Sequence, residues 1–243
     1  MQKYGLIGFP LGHSFSRGFF TEKFQREGID AQYLNFEVPD ARMLLDVLKD
    51  NPELRGLNVT LPHKTAVIPM LDELTPEAKE IGAVNVIRVR PGYLKGYNSD
   101  IIGFTNSIRP LLKPHHHKAL ILGTGGASRA IRVGLTKLGI EWTYVSRTPR
   151  EGMLTYDDLT AEVMQEYTVI VNCSPVGMFP HNDDAPAIPY HLLSRNHLLY
   201  DLVYNPEQTQ FMTLGEKYGA TAKNGLEMLH LQALASWEFW NEE

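Results

Sequence analysis

Several short stretches place polar or charged side chains where an apolar, strand-like run gives out. In LNVTLPHKTAVIP, residues 57 to 69, the alternating Leu57, Val59 and Leu61 lead through Thr60, Pro62 and His63 to Lys64. A lysine there is either a solvated cation at a strand end or an acid working at the mouth of a pocket, with its ammonium offering both charge and a proton. GAVNVI and YNSD deliver Asn85 and Asp100 in the same way, an amide and a carboxylate suited to holding hydroxyl groups. Thr60, Lys64, Asn85 and Asp100 are thereby expected at the C-terminal edge of a sheet, where open α/β sheets bind ligands. GFPLGHSFS sets Ser14 and Ser16 at the start of a helix. Their hydroxyls and the nearby amides suit a carboxylate, although serines at helix starts are usually plain N-caps.

A second kind of chemistry is written in ALILGTGGASRAI. Here a strand, a glycine-rich turn over Gly123, Thr124, Gly125, Gly126 and Ala127, and a helix start follow one another. Such a turn lets backbone amides approach a pyrophosphate at the helix N-terminus. Ser128 stands where the third glycine of G-x-G-x-x-G belongs, and is small enough to keep the close packing. About 20 residues further on, an NAD site places a carboxylate on the ribose 2′-hydroxyl. WTYVSRTPR has Ser146, Arg147, Thr148 and Arg150 there, with no acid before Glu151. A guanidinium can grip a 2′-phosphate that an acid would repel, so the residues favour NADP over NAD.

The elements that must position these residues alternate between strand-like and helix-like runs. YGLIGF and AQYLNFEV flank a helical segment with Phe19, Phe20, Lys23, Phe24 and Glu27 at helix spacing, and Asp40 is placed to cap a helix over DARMLLDVLKD. LRGLNVTL is a strand, and AVNVIRV and YLKGYN form a hairpin across Pro91-Gly92. A helix runs from Asp100 to Leu112; then KALILG, a helix from Ala127 to Leu138, WTYVSR, TVIVNC, HLLYDLVY, a helix over QTQFMTLGEKYG and a long final helix follow. Two such series predict two α/β domains with mostly parallel sheets. The expected division is a domain over residues 1–100, rejoined by the C-terminal helix of residues 223–243, and a nucleotide-binding domain over 101–222.

Composition narrows the function classes. The 243 residues carry 23 basic and 28 acidic side chains, a net charge of -5 that gives nucleic-acid binding no support. No apolar run approaches the roughly 20 residues of a membrane span, and the N-terminus lacks a signal-peptide pattern. Cys173 is the only cysteine, which fits a reducing cytoplasm, and VIVNCSPVG reads as the end of a buried strand with nothing to prime a nucleophile. His115, His116 and His117 lie in a proline-flanked loop without acidic or thiol partners nearby, so a solvated loop is expected and no metal.

Taken together, GHSFS, NVTLPHK, GAVNVI, YNSD, GTGGASRA, SRT, NCSPVGM, YDLVYNP and NGLEMLHLQA resemble the shikimate dehydrogenase family, in that family's order and across nearly the whole chain. The resemblance implies reversible NADP-dependent reduction of 3-dehydroshikimate to shikimate, on a fold of an N-terminal substrate domain and a Rossmann-like NADP-binding domain with a cleft between them. It assigns the catalytic lysine to Lys64 and its aspartate to Asp100. Ser14 and Ser16 take the substrate carboxylate, while Thr60, Asn85, Asp100 and Gln232 take the hydroxyls and Tyr204 lines the same pocket. Gly123 to Ala127 hold the cofactor phosphates, Ser146, Arg147, Thr148 and Arg150 the 2′-phosphate, and Gly225 and Met228 lie near the nicotinamide. The chain departs from the family pattern at Arg17 in place of proline, at Phe20 and Thr21, at Ile101-Ile102-Gly103 after the aspartate, at Ser146 in place of asparagine, and in a short segment between Arg150 and Val169.

Two competing readings have different consequences. A quinate/shikimate dehydrogenase of wider tolerance would accept an extra ring hydroxyl and use NAD or NADP. A non-catalytic NADP-binding regulatory homologue would have no need of a lysine and a carboxylate. The expected partners are the small-molecule substrate and, at most, a second copy of the chain.

Overall fold

The computed structural model describes residues 1–12 and 15–242. The chain forms two compact units, one of Met1–Ser99 with Gln232–Glu243 and one of Asp100–Leu231. The division therefore falls within the final helix, nine residues beyond position 223, where the sequence places the return to the first domain.

The first unit is built on strands β1 (Gln2–Gly8), β2 (Ala31–Glu37), β3 (Leu54–Val59), β4 (Glu73–Leu74), β5 (Val86–Arg90) and β6 (Tyr93–Tyr97). Their order in the sheet is β2-β1-β3-β5-β6-β4. β1 pairs in parallel with β2 and β3, while the expected hairpin makes β5 antiparallel to both β3 and β6. The period-two alternation of the strands separates two cores. Ile7, Leu57, Val59 and Ile87 pack with Leu44 of helix α2 (Leu44–Asp50) on one side. Tyr4, Leu6, Val86 and Tyr97 pack on the other with Phe20 and Phe24 of α1 (Phe15–Glu27) and Trp240 of the final helix. Asp40 accepts from the Arg42 amide at 2.9 Å, so the expected cap forms, though the first turn behind it is a 3-10 helix over Ala41–Met43. A short helix α3 (Pro76–Ile81) is capped by Thr75.

The second unit carries an all-parallel sheet of β7 (Lys118–Leu122), β8 (Glu141–Ser146), β9 (Leu154–Thr155), β10 (Val169–Asn172), β11 (Leu198–Asp201) and β12 (Thr221–Lys223). The order β12-β11-β10-β7-β8-β9 is that of a doubly wound dinucleotide-binding sheet, with its switch point between β7 and β10. One face, with Ala119 and Ile121, is covered by Phe104 and Ile108 of α4 (Asp100–Ile108) and Ile131 and Leu135 of α5 (Gly126–Lys137). The other, with Leu120 and Leu122, is covered by Met164 of α6 (Ala161–Glu166) and Phe211 of α7 (Gln210–Lys217). The last helix, α8 (Leu226–Asn241), closes the chain. No helix among the described residues is long and apolar enough to cross a membrane.

In the histidine run, His115 and His117 are exposed as expected of a solvated loop, and His116 alone departs from that expectation. His116 is only 6% exposed; its Nδ1 accepts from the Lys113 amide and its Nε2 meets the Asn196 carbonyl at 3.1 Å. Burial holds its pKa below the ordinary histidine value. The middle histidine thus ties the segment before β7 to the loop before β11, and among the described residues no cluster of His, Cys, Asp or Glu could hold a metal.

Candidate active site

In the first unit, backbone hydrogen bonds gather three of the sequence-predicted residues at one end of the sheet. The Thr60 amide, just past β3, donates to the Ile7 carbonyl at 2.9 Å. The Val59 amide donates to the Asn85 carbonyl at 2.8 Å, and the Val84 amide to the Lys64 carbonyl at 2.7 Å. Lys64 thus sits in the turns after β3, beside the residue that precedes Asn85. Its neighbour His63 is buried, with Nε2 2.7 Å from the Val38 carbonyl, so the segment is anchored through the histidine.

Asn85 is 5% exposed and cannot rotate freely. Its Nδ2 donates to the Ser99 hydroxyl at 3.0 Å, and its Oδ1 accepts from the Ser99 amide at 2.7 Å. From Ser99 a buried polar chain continues. The Ser99 and Ser236 hydroxyls are 3.4 Å apart, Ser236 accepts from Asn58 Nδ2 at 2.9 Å, and Asn58 Oδ1 accepts from the Tyr33 hydroxyl at 2.8 Å. Tyr33 in turn hydrogen-bonds Ser16, and its burial raises the phenol far above its ordinary pKa. The Ser236 hydroxyl also donates to the Gln232 carbonyl at 2.8 Å, one turn back on α8. Ser16, Asn85 and Gln232 are thereby joined through Tyr33, Asn58, Ser99 and Ser236, four residues that sequence reasoning missed. Asn58 left a signal, a polar residue inside an otherwise buried strand; the other three left none. Ser14 lies outside the described residues.

The remaining sequence-predicted residues belong to the second unit. Asp100 opens α4 and is 5% exposed. Tyr204, after β11, is 41% exposed. Gly225 donates its amide to the Val203 carbonyl at 3.1 Å, which fixes the turn into α8. Met228 is 5% exposed and packs in the core cluster with Phe104 and Tyr200, so its side chain is mostly enclosed.

The turn after β7 has the form a dinucleotide phosphate requires. Gly123 adopts φ +99°, a conformation open to glycine and costly for other residues, and its amide donates to the Val145 carbonyl at 3.0 Å. Gly125 is the extended N-cap of α5, with Ser128 Oγ donating to its carbonyl at 2.7 Å. A side chain added at Gly125 or Gly126 would meet no protein atom within 4 Å, so the helix N-terminus has room for a ligand. Ser146, the last residue of β8, is buried and its Oγ accepts from the Thr148 amide at 3.3 Å, while Arg147, Thr148 and Arg150 beyond the strand are exposed. Arg150 Nη1 reaches Thr124 Oγ1 at 3.4 Å, which ties the arginine segment to the glycine-rich turn. Two guanidinium groups, an exposed helix N-terminus and no intervening acid make a donor set for a phosphorylated ribose. The residues fit NADP.

Two further groups at this edge were not anticipated as a pair. Asp201, the last residue of β11, is fully buried, and burial pushes its carboxyl up to about 6 against the opposing effect of its hydrogen-bond donors. Burial and the charge of Asp201 raise the Cys173 thiol well above its ordinary value, in keeping with an inert cysteine.

Comparison with known proteins places these features in context. The family described as the shikimate dehydrogenase substrate binding domain matches residues 6–87. A shikimate dehydrogenase (NADP(+)) of Desulforamulus reducens is 36% identical over 262 residues, covering 98% of this chain and 89% of that protein. Among solved structures, the shikimate 5-dehydrogenase of Thermus thermophilus in complex with NADP(H) and shikimate is similar with a TM-score of 0.87 and 29% identity, over 99% of this chain and 94% of that one. The shikimate 5-dehydrogenase of Listeria monocytogenes in complex with shikimate and NAD has a TM-score of 0.88 and 28% identity, over 100% and 92%.

Proposed function

The chain belongs to the shikimate dehydrogenase family, and from that premise we propose that it catalyses the reversible NADP-dependent reduction of 3-dehydroshikimate to shikimate. The observation that carries this is kinship with NADP-dependent shikimate dehydrogenases over nearly the full length of both chains. NADPH, when bound, supplies the hydride. The protein's own task is to bind the substrate and to deliver a proton to the oxygen on which negative charge develops.

Lys64 is the residue for that task. Its ammonium supplies charge and proton together, and the turns that carry it are anchored by His63 and Val84. Asp100 accepts a hydrogen bond from a ring hydroxyl. Thr60, Asn85 and Gln232 hold the remaining hydroxyls, Ser14 and Ser16 the carboxylate, and Tyr204 is a further substrate-binding residue. Gly123 to Ala127 hold the pyrophosphate at the start of α5. Ser146, Arg147, Thr148 and Arg150 hold the 2′-phosphate, and Gly225 and Met228 support the nicotinamide. The lone cysteine and the biosynthetic reaction fit a cytoplasmic enzyme, working as a monomer or homodimer.

Turnover of shikimate with NADP, followed by NADPH absorbance, tests the assignment directly. Rapid reduction of NADP is expected with shikimate; absence of turnover with shikimate under conditions that support another polyol would overturn it.

Two substitutions test the binding roles. Ser16→Ala removes a hydroxyl far from the reacting ketone, so its effect falls on KM for shikimate, by the about 1.5–3 kcal/mol of a hydrogen bond to a charged group. An unchanged KM would leave Ser16 as no more than Tyr33's partner. Arg147→Leu removes a charge-assisted contact of similar size, which weakens NADP about 10- to 150-fold and leaves NAD nearly untouched. Steady-state kinetics with both cofactors check it. Equal losses with the two would mean that Arg147 serves the fold or the pyrophosphate, and a parent enzyme that prefers NAD would reverse the reading of the arginine segment.

A further inference from the structure

Asp201 is a buried carboxylate that the proposed chemistry leaves unused. It is fully enclosed at the end of β11 and held by three donors from three pieces of chain. Oδ1 accepts from Asn172 Nδ2 at 2.9 Å and from the Val203 amide at 3.0 Å, and Oδ2 accepts from the Thr209 hydroxyl at 2.7 Å. Asn172 ends the neighbouring strand β10, and its Oδ1 receives both the amide and the hydroxyl of Ser174, at 3.1 and 2.6 Å. Val203 opens the loop after β11. Thr209 caps α7, where its Oγ1 accepts from the Met212 amide at 3.3 Å. One carboxylate therefore joins two strand ends, the loops that leave them and the start of the next helix.

Those loops stand where a ligand belongs. The Ser174 amide lies 3.4 Å from where a Cβ at Gly123 would be, so the loop after β10 borders the phosphate turn at the switch point. The Phe179 amide donates to the Asn205 carbonyl at 3.0 Å, linking the two loops directly. Met178, Phe179 and Tyr204 on them are 46%, 62% and 41% exposed, so the two loops present large side chains to solvent. In a doubly wound sheet each half takes one mononucleotide. The half with β7, β8 and the arginine segment takes the adenosine side, which leaves β10, β11 and these loops for the nicotinamide side.

We propose that Asp201 is a positioning residue for the nicotinamide half of the cofactor, acting by holding the loops of residues 173–179 and 202–206 in one arrangement. The proposal rests on the cofactor reading above. Removing the carboxylate leaves the Val203 amide and the Thr209 hydroxyl buried without their acceptor and Asn172 Nδ2 with the Val176 carbonyl alone, at 3.3 Å, and the loops are freed to satisfy the lost bonds in other ways. An asparagine at 201 keeps an oxygen for the first two donors and loses only the acceptor toward Thr209.

The test compares two probes on the full-length protein: NADPH, and 2′,5′-ADP, which carries the adenosine half alone. For Asp201→Ala, the dissociation constant of NADPH is expected to rise about tenfold or more, while that of 2′,5′-ADP stays within about twofold. Asp201→Asn is expected to restore most of the NADPH affinity. Equal weakening of both probes would show a general loosening of the unit and overturn the proposal, as would unchanged NADPH binding in Asp201→Ala. If Asp201→Ala does not fold, Asn172→Ala, which removes the link from Asp201 to the β10 loop together with that loop's bonds to the Asn172 side-chain amide, is judged by the same two probes and the same outcomes. A parent protein that binds neither probe would overturn the cofactor reading itself, and this proposal with it.

Discussion

Lys64→Ala is expected to lower kcat about 10²–10⁴-fold, the usual range for loss of a general acid, with a smaller change in KM for shikimate. The lysine's carbonyl, not its side chain, accepts the Val84 amide, and the flanking His63 is anchored to Val38. Truncating the side chain therefore leaves the turns in place, and circular dichroism of the variant should match the parent. What disappears is the group proposed to meet the developing negative charge and to supply the proton. Because substrate and transition state differ most at that oxygen, the loss belongs in kcat. A variant whose kcat stayed within a factor of about three of the parent would remove Lys64 from the chemistry.

The other large effect is on stability, at Trp240. This side chain is 1% exposed and sits among Tyr4, Phe20 and Tyr33, with ring centroids 4.9, 5.1 and 6.4 Å away. Its indole nitrogen donates to the Ile87 carbonyl at 3.1 Å. It also lies against the backbone of β3, where a Cβ at Gly56 would collide with the ring. Only glycine permits that approach. Trp240→Ala should cost about 3–5 kcal/mol, the range for emptying a large aromatic site. In a chain of this size that corresponds to a fall in Tm of about 6–20 °C by calorimetry. Gln232 lies about two turns earlier on the same helix, so KM for shikimate is expected to rise as well. A Tm within about 2 °C of the parent would mean that the aromatic cluster closes over the gap and that α8 is held mainly by other contacts.

The aromatic cluster also explains one departure from the family pattern. Phe20, one of the positions where the chain departs from the family pattern, is fully buried and stacks on Tyr33 at 4.9 Å and 11°. Tyr33 hydrogen-bonds Asn58 and Ser16, so Phe20 packs behind that polar chain and leaves its polar members intact.

The order of strands and helices was determined by the sequence alone, because hydrophobic period and turn chemistry act over a few residues. The hairpin across Pro91-Gly92 forms as expected, with Gly92 at φ +69°, and Asp40 and Gly123 play the cap and turn roles that their types require. Helix α5 is placed to within a residue of the reading from Ala127 to Leu138. Several candidate residues stand beside element ends for the same reason: Thr60 follows β3, Asn85 precedes β5, Asp100 opens α4 and Gly123 follows β7. Tertiary structure alone decided the rest. β4, β9 and β12 hold two, two and three residues, too few to show a period, and exist as strands because a neighbouring edge offers them a ladder. His116 looks solvated in its run of three and is buried, because Asn196, 80 residues away, brings a carbonyl to it. Asn58 meets Ser236 across 178 residues, and Asp201 meets Asn172 across 29. A polar side chain's type says what it can donate or accept; which partner it finds depends on the order in which the sheets bring distant strands together, and no local pattern encodes that order.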